Sequence, residues 1–392
     1  MTESAKQLLS SLFPENSRLL LTGGGKEFVE RIGIEAVRKV VLGVLRGENI
    51  RTQTEPLTRR RISQVCGALV ALFAKGWIEV DDFSKKVSEM AMFELQGKSV
   101  SDKAILWPAQ WAIGLTGKLS QNALRGKTSE LQHYINVFEY AVLESAHRCE
   151  ADIGPITMKL GLVTDGKSTK ELNWEDITRL TTALGCAALT LRGSDKSIYG
   201  KLFERLVLGS ALSILGFQRT SPKAISGKKM VFWLSDSRSA RESDATALFE
   251  PGKLARFDIG FIGPGNSEIS KDKLSRYERE MEVDGAKYSS RTFIIVDRLP
   301  QTSKTKKAAE RIGAEIIQMS LRYWPQELAQ YLAKHFSFEH TLVSLPEEEV
   351  GAYLDSALSK VPIQEFVAGI SAGDLPVDEE LEEIEDEMRA EN

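Results

Sequence analysis

The chain has 392 residues, of which 42% are hydrophobic and 27% are charged, and its formal net charge is −4. This composition is that of an ordinary globular protein, long enough for two domains or one large elaborated domain. No apolar run approaches the roughly 18 residues of a membrane span. The N-terminus has no basic segment followed by an apolar core, so the sequence does not predict a secretory signal. We therefore expect a cytoplasmic protein without a membrane partner.

The three cysteines, Cys66, Cys149 and Cys186, lie far apart in the chain. An odd number of widely spaced cysteines is typical of reduced thiols in a cytoplasmic protein. The same spacing excludes a zinc site built from cysteines.

The charge is unevenly distributed along the chain. Residues 374–392 contain ten acidic residues and one arginine, a net charge of −9, which leaves +5 for the rest of the chain. A mildly basic body is compatible with phosphate binding. We interpret the acidic tail as a disordered or partly helical end, with a self-inhibitory mimic of DNA as the alternative.

Residues 1–192 are predicted to form a mainly helical region. Apolar residues at helical spacing predict helices over residues 26–46, 58–75, 81–96, 105–117, 128–149 and 173–192. Thr58 is the expected N-cap of the second helix, which would place Arg59, Arg60 and Arg61 in its first turn. Cations there oppose the helix dipole, so these arginines either contact a phosphate or form a solvated basic turn.

The sequence GSDKS at 193–197 is the expected boundary before a second region, residues 193–345. There the pattern predicts a helix, three strands, a helix, a strand, a helix and a last strand. Residues 346–373 are predicted to form C-terminal helices, followed by the acidic tail. The expected fold class is therefore α/β (α+β), with a mixed sheet flanked by helices and a large helical N-terminal region.

The second and third predicted strands, ATALFE and ARFDIGFI, flank the turn dipeptide Pro251-Gly252 and so predict a hairpin. A hairpin centred there places Asp244 and Asp258 opposite each other, about 5 Å apart. Alternation turns Phe257, Ile259 and Phe261 to the core and leaves Asp258 on the face shared with Asp244. Two carboxylates at that separation repel each other unless a cation lies between them, and hard oxygen ligands suit Mg²⁺.

The segment from 199 to 336 resembles the PD-(D/E)xK nuclease core, and the whole chain resembles a type II restriction endonuclease of the CfrBI-like group. The matching features are GKLFE at 200–204, Asp244 at the PD position, Asp258 at the (D/E) position, and the strands VDRLP and IIQMS. The resemblance implies Mg²⁺ held by Asp244 and Asp258. It also gives Glu204 a role in assisting metal binding, against the alternative of a surface pair with Arg205 or Lys201.

The sequence departs from that motif at two positions. Ser243 replaces the proline before Asp244, and Gly260 stands where the motif has its lysine. We expect another ammonium to act instead, with Lys253, Lys271 and Lys273 as the alternatives. Lys273 is preferred, together with Glu268 as an added carboxylate, because NSEISKDK is predicted to begin a helix directly after the strand of Asp258.

The resemblance implies an Mg²⁺-dependent endonuclease that hydrolyses double-stranded DNA at a short, palindromic site. Cleavage of both strands of such a site implies a homodimer, with residues 1–192 serving DNA recognition, dimerisation or both. A restriction system also implies a cognate DNA methyltransferase. Gly260 keeps open the alternative of a nuclease fold that binds DNA without cutting it. A third interpretation is a helical interaction or regulatory protein whose two aspartates are surface acids.

Overall fold

A computed structural model describes residues 8–96, 103–116, 128–161, 169–235, 243–261, 289–297 and 314–370. Within these ranges, helices flank a six-stranded mixed sheet, and the N-terminal part is mostly helical. The predicted fold class is confirmed. The predictions for Glu268, Lys271, Lys273 and the acidic tail concern residues outside these ranges.

The described helices, numbered in chain order, are α1 Leu9–Leu12, α2 Glu15–Thr22, α3 Gly25–Ile32, α4 Ile34–Leu45, α5 Ile50–Glu79, α6 Phe83–Leu95, α7 Lys103–Ala112, α8 Thr128–Ile153, α9 Trp174–Ile214, α10 Trp324–Phe336 and α11 Glu347–Leu358. The strands are β1 Met158–Gly161, β2 Thr169–Leu172, β3 Gln218–Arg219, β4 Val231–Leu234, β5 Ala245–Glu250, β6 Lys253–Gly260, β7 Ser289–Val296 and β8 Ala314–Gln318. Short 3₁₀ turns occupy Pro222–Ala224, Thr341–Val343 and Ile363–Val367.

Strands β3 to β8 lie in the sheet in chain order. β5 is antiparallel to both of its neighbours, β4 and β6. The outer pairs are parallel: β3 with β4, β6 with β7, and β7 with β8. β1 and β2 form a separate antiparallel hairpin. The hairpin β5–β6 is therefore at the centre of the sheet, where both of its strands have a partner on each side.

The predicted hairpin about Pro251 is confirmed. Gly252 has φ 87°, a conformation that glycine adopts readily at the third position of a type II turn, with proline before it. A register shift between Leu248 and Glu250 accommodates the turn. Lys253 and Glu250 close it with a 2.6 Å ion pair.

Aromatic side chains pack against the sheet. Phe257 of β6 stacks on Phe293 of β7 with a centroid distance of 5.3 Å, and Phe249 of β5 stacks on Phe336 of α10 at 4.2 Å. Each fully buried phenylalanine contributes about 1.5–3 kcal/mol. These contacts hold α10 and the central strands together.

The chain divides into two compact units. The first contains Met1–Gly23, Thr58–Ser197 and Pro376–Asn392, and the second contains Gly24–Leu57 and Ile198–Leu375. All six strands of the main sheet belong to the second unit.

Two predicted helix boundaries are wrong. The predicted helix over 26–46 is two helices, α3 and α4, because Gly33 has φ 111° and interrupts the helical backbone. The helix predicted to end near residue 192 continues to Ile214, which gives it a total length of 41 residues from Trp174. Glycine, serine and aspartate at 193–195 are weak helix formers, but Leu191, Ile198 and neighbouring apolar residues are buried. Packing of these residues overrides the local propensity.

The interpretation of Arg59, Arg60 and Arg61 as the first turn of a helix is also wrong. α5 begins at Ile50, so Thr58 is inside the helix and caps nothing at its start. Arg61 is buried in the first unit, where it donates to the carbonyl of Leu20 at 2.8 and 3.0 Å and pairs with Asp195. Its role is therefore structural, whereas Arg59 and Arg60 are exposed.

Within the described ranges, α5 is long and apolar enough to cross a membrane by length and composition alone, because an 18-residue window of it has a mean hydropathy of 1.2. Core helices of water-soluble proteins meet the same criterion. Val65, Leu69, Leu72 and Phe73 of α5 are completely buried. Its apolar face therefore packs inside the protein.

Candidate active site

Asp244 lies opposite Asp258 at the open end of the central hairpin. The register pairs Ala245 with Phe257, and one further step along the two antiparallel strands pairs the aspartates. Side chains at directly opposite positions have Cβ atoms about 5 Å apart. The two carboxylates therefore share one region of one sheet face.

The carboxylate of Asp244 is held by the strand that carries Asp258. The backbone N–H of Ile259 donates a hydrogen bond of 2.7 Å to Oδ2 of Asp244. A backbone donor to a charged acceptor makes a strong hydrogen bond. This contact draws the Asp244 side chain across to the Asp258–Ile259 peptide and limits its rotamers.

The two faces of β6 differ in the way the alternation predicts. Ala255, Phe257 and Ile259 are completely buried, whereas Arg256 and Asp258 are partly exposed. Phe261 was expected to continue the buried series, but it follows the last residue of β6 and is only half-buried. The apolar side chains fix the strand on the core, so its polar side chains face the opposite side.

Helix α9 braces the start of β5 through a chain of hydrogen bonds. Arg205 donates to the carbonyl of Ser235 and, at 3.0 Å, to the carbonyl of Phe366. Ser235 in turn donates its N–H to the carbonyl of Asp244 at 3.1 Å and its hydroxyl to the carbonyl of Ser243. Arg205 thus positions the backbone from which the Asp244 side chain extends.

Glu204 is next to Arg205 on α9 and is partly exposed, while Leu202, Phe203, Leu206 and Val207 pack inward as predicted. Among the residues that the structure describes, no group of three or more His, Cys, Asp or Glu side chains is arranged to hold a metal ion. The hairpin register brings Asp244 and Asp258 together, and the role of Glu204 in assisting metal binding stays a prediction. Glu268 and Lys273 are outside the described ranges.

Lys253 does not lie beside the aspartates. It starts β6, five residues before Asp258, which is about 17 Å along a strand. Its ammonium pairs with Glu250, and this hydrogen bond lowers the pKa of the Glu250 carboxyl. Lys253 therefore closes the turn and is not the ammonium that replaces the one missing at Gly260.

The donor set of the site fits a magnesium ion. Mg²⁺ is commonly held by one or two carboxylates, with water and substrate phosphate oxygens as its other ligands. The opposed carboxylates of Asp244 and Asp258 supply such a pair, and Gly260 adds no side chain beside them. Sequence reasoning found both aspartates through the turn and the alternation, but Arg205 and Ser235 carried no comparable signal.

The class of this enzyme follows from a comparison with a curated relative. The type II restriction enzyme CfrBI from Citrobacter freundii is 29% identical over 361 residues, which cover 91% of this chain and 97% of the relative. The similarity thus covers most of the length of both proteins. Together with a family model that matches more than half of the chain, this similarity identifies the protein as a type II restriction enzyme, a class of site-specific deoxyribonucleases.

The particular family is given by a family model. The model described as CfrBI restriction endonuclease matches residues 34–304, well over half of the chain. The chain belongs to the CfrBI restriction endonuclease family, and the predicted resemblance to type II restriction endonucleases of the CfrBI-like group is confirmed. No solved structure gives a significant match.

Proposed function

We propose that this restriction enzyme cuts both strands of DNA at a short palindromic site in an Mg²⁺-dependent reaction, using a PD-(D/E)xK site at Asp244 and Asp258. The observation that carries the proposal is the pairing of these two carboxylates across the central hairpin, with Asp244 fixed by the N–H of Ile259. Family membership supplies the substrate class, and the site supplies the chemistry.

Asp244 and Asp258 would hold the metal between their carboxylates and the scissile phosphate. When bound, Mg²⁺ lowers the pKa of a water and neutralises charge that develops on the phosphate. The protein's own contribution is geometry: the paired strands fix the separation of the carboxylates, and Arg205 and Ser235 hold the backbone of Asp244. Such fixed positioning reduces the reorganisation that the reaction requires.

The remaining catalytic residues are proposed from the sequence. Lys273 would orient the attacking hydroxide and stabilise charge in the transition state, and Glu268 would add a carboxylate. Glu204 would assist metal binding from α9. Hydrolysis that leaves 5′-phosphates is the expected outcome.

Cutting a palindromic site on both strands needs two active sites related by a two-fold axis, because each strand presents the same sequence in opposite directions. We therefore propose a homodimer. A cytoplasmic location and a cognate methyltransferase that protects host DNA complete the proposed restriction system.

The test is incubation of phage DNA with the wild-type protein and Asp258→Ala, with Mg²⁺ or with EDTA. Discrete fragments that need Mg²⁺ and are absent for Asp258→Ala would support the proposal. Glu250→Ala is the matched control, since Glu250 is on the same hairpin but at its turn. It should cut as the wild type does.

Two results would contradict the proposal. Cutting by Asp258→Ala at the wild-type rate would exclude this residue from the site. Intact DNA under conditions where the wild type binds it would favour a nuclease fold that binds without cutting, the alternative raised by Gly260.

A further inference from the structure

Arg256 is on the same strand as Asp258 and on the same face. It precedes Asp258 by two residues in β6, a separation of about 7 Å along the strand. Both side chains are partly exposed, while the three neutral residues that alternate with them are completely buried. A guanidinium therefore extends from the strand beside the carboxylate pair.

The two residues that flank Arg256 in the sheet are polar. The register places Thr246 of β5 and Thr292 of β7 directly beside it. Thr292 is only 1% exposed, and its hydroxyl makes no hydrogen bond within the part of the chain that the structure describes. On the other face, the equivalent positions of β5 and β6 are Ala247 and Ala255, both completely buried, and the arginine of that row, Arg291, lies on β7 and is exposed. Polar residues in the centre of a sheet thus occur on the face of the aspartates.

Arg256 and Gly260 lie at equal distances from Asp258 along β6, one before it and one after it. In a strand, residues two before and two after Asp258 project from the same face, and these are Arg256 and Gly260. The motif puts its lysine after the acid, whereas this chain has a cation before it. A guanidinium also binds phosphate oxygens through two parallel hydrogen bonds, which an ammonium does not.

We propose that Arg256 binds non-bridging oxygens of the DNA phosphate that lies against the Asp244–Asp258 pair. This inference rests on the proposed function, because it assigns the substrate group to a residue of the same site. Arg256 then supplies a positive charge on the N-terminal side of Asp258. Gly260, at the position of the motif's lysine on the other side, supplies none. The lysine proposed from the sequence retains its separate role with the attacking hydroxide.

The first test measures DNA binding as a function of salt for wild type, Arg256→Gln, Arg256→Lys and Arg291→Gln. The probe is a fluorescently labelled duplex fragment of the phage DNA. Its fluorescence anisotropy is recorded in two buffers, one with EDTA and one with Ca²⁺ in place of Mg²⁺. Loss of one phosphate contact reduces the slope of log K against log[salt] by about 1. We expect that reduction for Arg256→Gln, and a wild-type slope for Arg256→Lys, which keeps the charge.

Arg291→Gln is the matched control. Arg291 is an exposed arginine of the neighbouring strand β7, in register with Ala255 and hence on the opposite face of the sheet. Its substitution should change neither the salt slope nor cleavage. Thermal unfolding of all four proteins reports whether each variant is folded, and Arg256→Lys carries the test if Arg256→Gln does not fold.

The second test measures single-turnover cleavage in Mg²⁺. Removal of a donor to a reacting phosphate lowers the rate by roughly 10²-fold or more. We expect this loss for Arg256→Gln and partial recovery for Arg256→Lys, because a lysine keeps the charge but not the planar pair of donors.

The outcomes separate this inference from the proposed function. A wild-type salt slope and rate for Arg256→Gln, or an equal loss for Arg291→Gln, would overturn the role of Arg256 while Mg²⁺-dependent cutting stands. If Arg256→Gln does not fold, a wild-type rate for Arg256→Lys would overturn the bidentate contact. A wild type that binds but does not cut would overturn the proposed function, and the salt slope would still decide the phosphate contact. A wild type that binds no duplex in either buffer would overturn both.

Discussion

Oδ2 of Asp244 accepts a hydrogen bond of 2.7 Å from the backbone N–H of Ile259, the residue that follows Asp258. One member of the carboxylate pair is therefore fixed by the strand that carries the other member. This contact lets the charge of Asp244 be separated experimentally from its structural role, because an asparagine oxygen can accept the same bond.

We predict that Asp244→Asn and Asp244→Ala both lose cleavage but differ in stability. Each should lower the single-turnover rate at least 10²-fold, since even outer-shell partners of a metal are worth 10–100-fold. Asp244→Asn should be as stable as the wild type, because it keeps the acceptor and removes repulsion between the aspartates. Asp244→Ala should lose about 1–3 kcal/mol, because the N–H of Ile259 is left without its acceptor. Urea unfolding measures the difference, and wild-type cleavage by Asp244→Asn would refute a metal-binding role.

We predict that Arg205→Ala slows cleavage without weakening DNA binding, since Arg205 acts on Asp244 through Ser235. The rate should fall roughly 10–100-fold, as for other residues that orient a metal ligand. The control is Arg219→Ala, because Arg219 also donates to a backbone carbonyl, that of Glu365, but it is exposed and not bonded to the Asp244 strand. An equal loss of rate in both variants, or an unchanged rate in Arg205→Ala, would show that the bracing is dispensable.

We predict that Arg61→Met destabilises the protein by about 3–5 kcal/mol, because it leaves the buried carboxylate of Asp195 without its partner. The double variant Arg61→Met with Asp195→Leu should recover part of that loss, since it removes both buried charges. Arg60→Ala, at an exposed position of the same helix, should change the free energy of unfolding by less than about 0.5 kcal/mol. A small effect of Arg61→Met would indicate that the pair is not essential for folding of the first unit.

We predict a loss of stability in acid that depends on His340. Nδ1 of this ring accepts from the N–H of Leu342 at 3.2 Å, so Nε2 carries the proton and donates to the carbonyl of Ile214 at 3.0 Å. Burial lowers the pKa of His340 below its usual value of 6.5. The unfolded chain then binds more protons below about pH 6.5. The contribution of His340 is therefore complete above that pH and declines as pH falls towards the folded-state pKa.

The measurement for His340 is the midpoint of thermal unfolding between pH 5 and pH 8, values chosen to span the usual pKa of about 6.5. His340→Gln should flatten the acid side of the profile relative to the wild type. His133→Gln serves as the control, because His133 is exposed on α8. Identical acid slopes for the wild type and His340→Gln would exclude His340 as the source.

The central hairpin was predictable because its signals are local. Pro251-Gly252 defines the turn, and alternation of apolar and polar residues defines the two faces, so the opposition of Asp244 and Asp258 follows from counting. The continuation of α9 through residues 193–197 was not predictable, because it depends on packing by residues distant in sequence. The same holds for Arg61, whose partners Leu20 and Asp195 are far from it in the chain.

Arg205 shows why part of the site cannot be derived from sequence. It binds backbone carbonyls, which every residue possesses, so no pattern of side chains identifies its partners. Arg256, by contrast, was already on the face of Asp258 by alternation. Only the register with Thr246 and Thr292 shows that its surroundings on that face are polar.

The antiparallel order of β4, β5 and β6 has a consequence for the kinetics of folding. Only thirteen residues separate Asp244 from Asp258, and hairpins form within about 1–10 μs. The parallel pairing of β6 with β7 requires closure of the much longer connection over residues 261–288, which is slower. We expect the two carboxylates to meet before the sheet is complete, when their repulsion is opposed by the turn and its few local contacts. A divalent cation present during refolding should therefore accelerate the earliest phase, in which the hairpin forms. Chain contacts that form later should stabilise a separation of the two carboxylates that already exists.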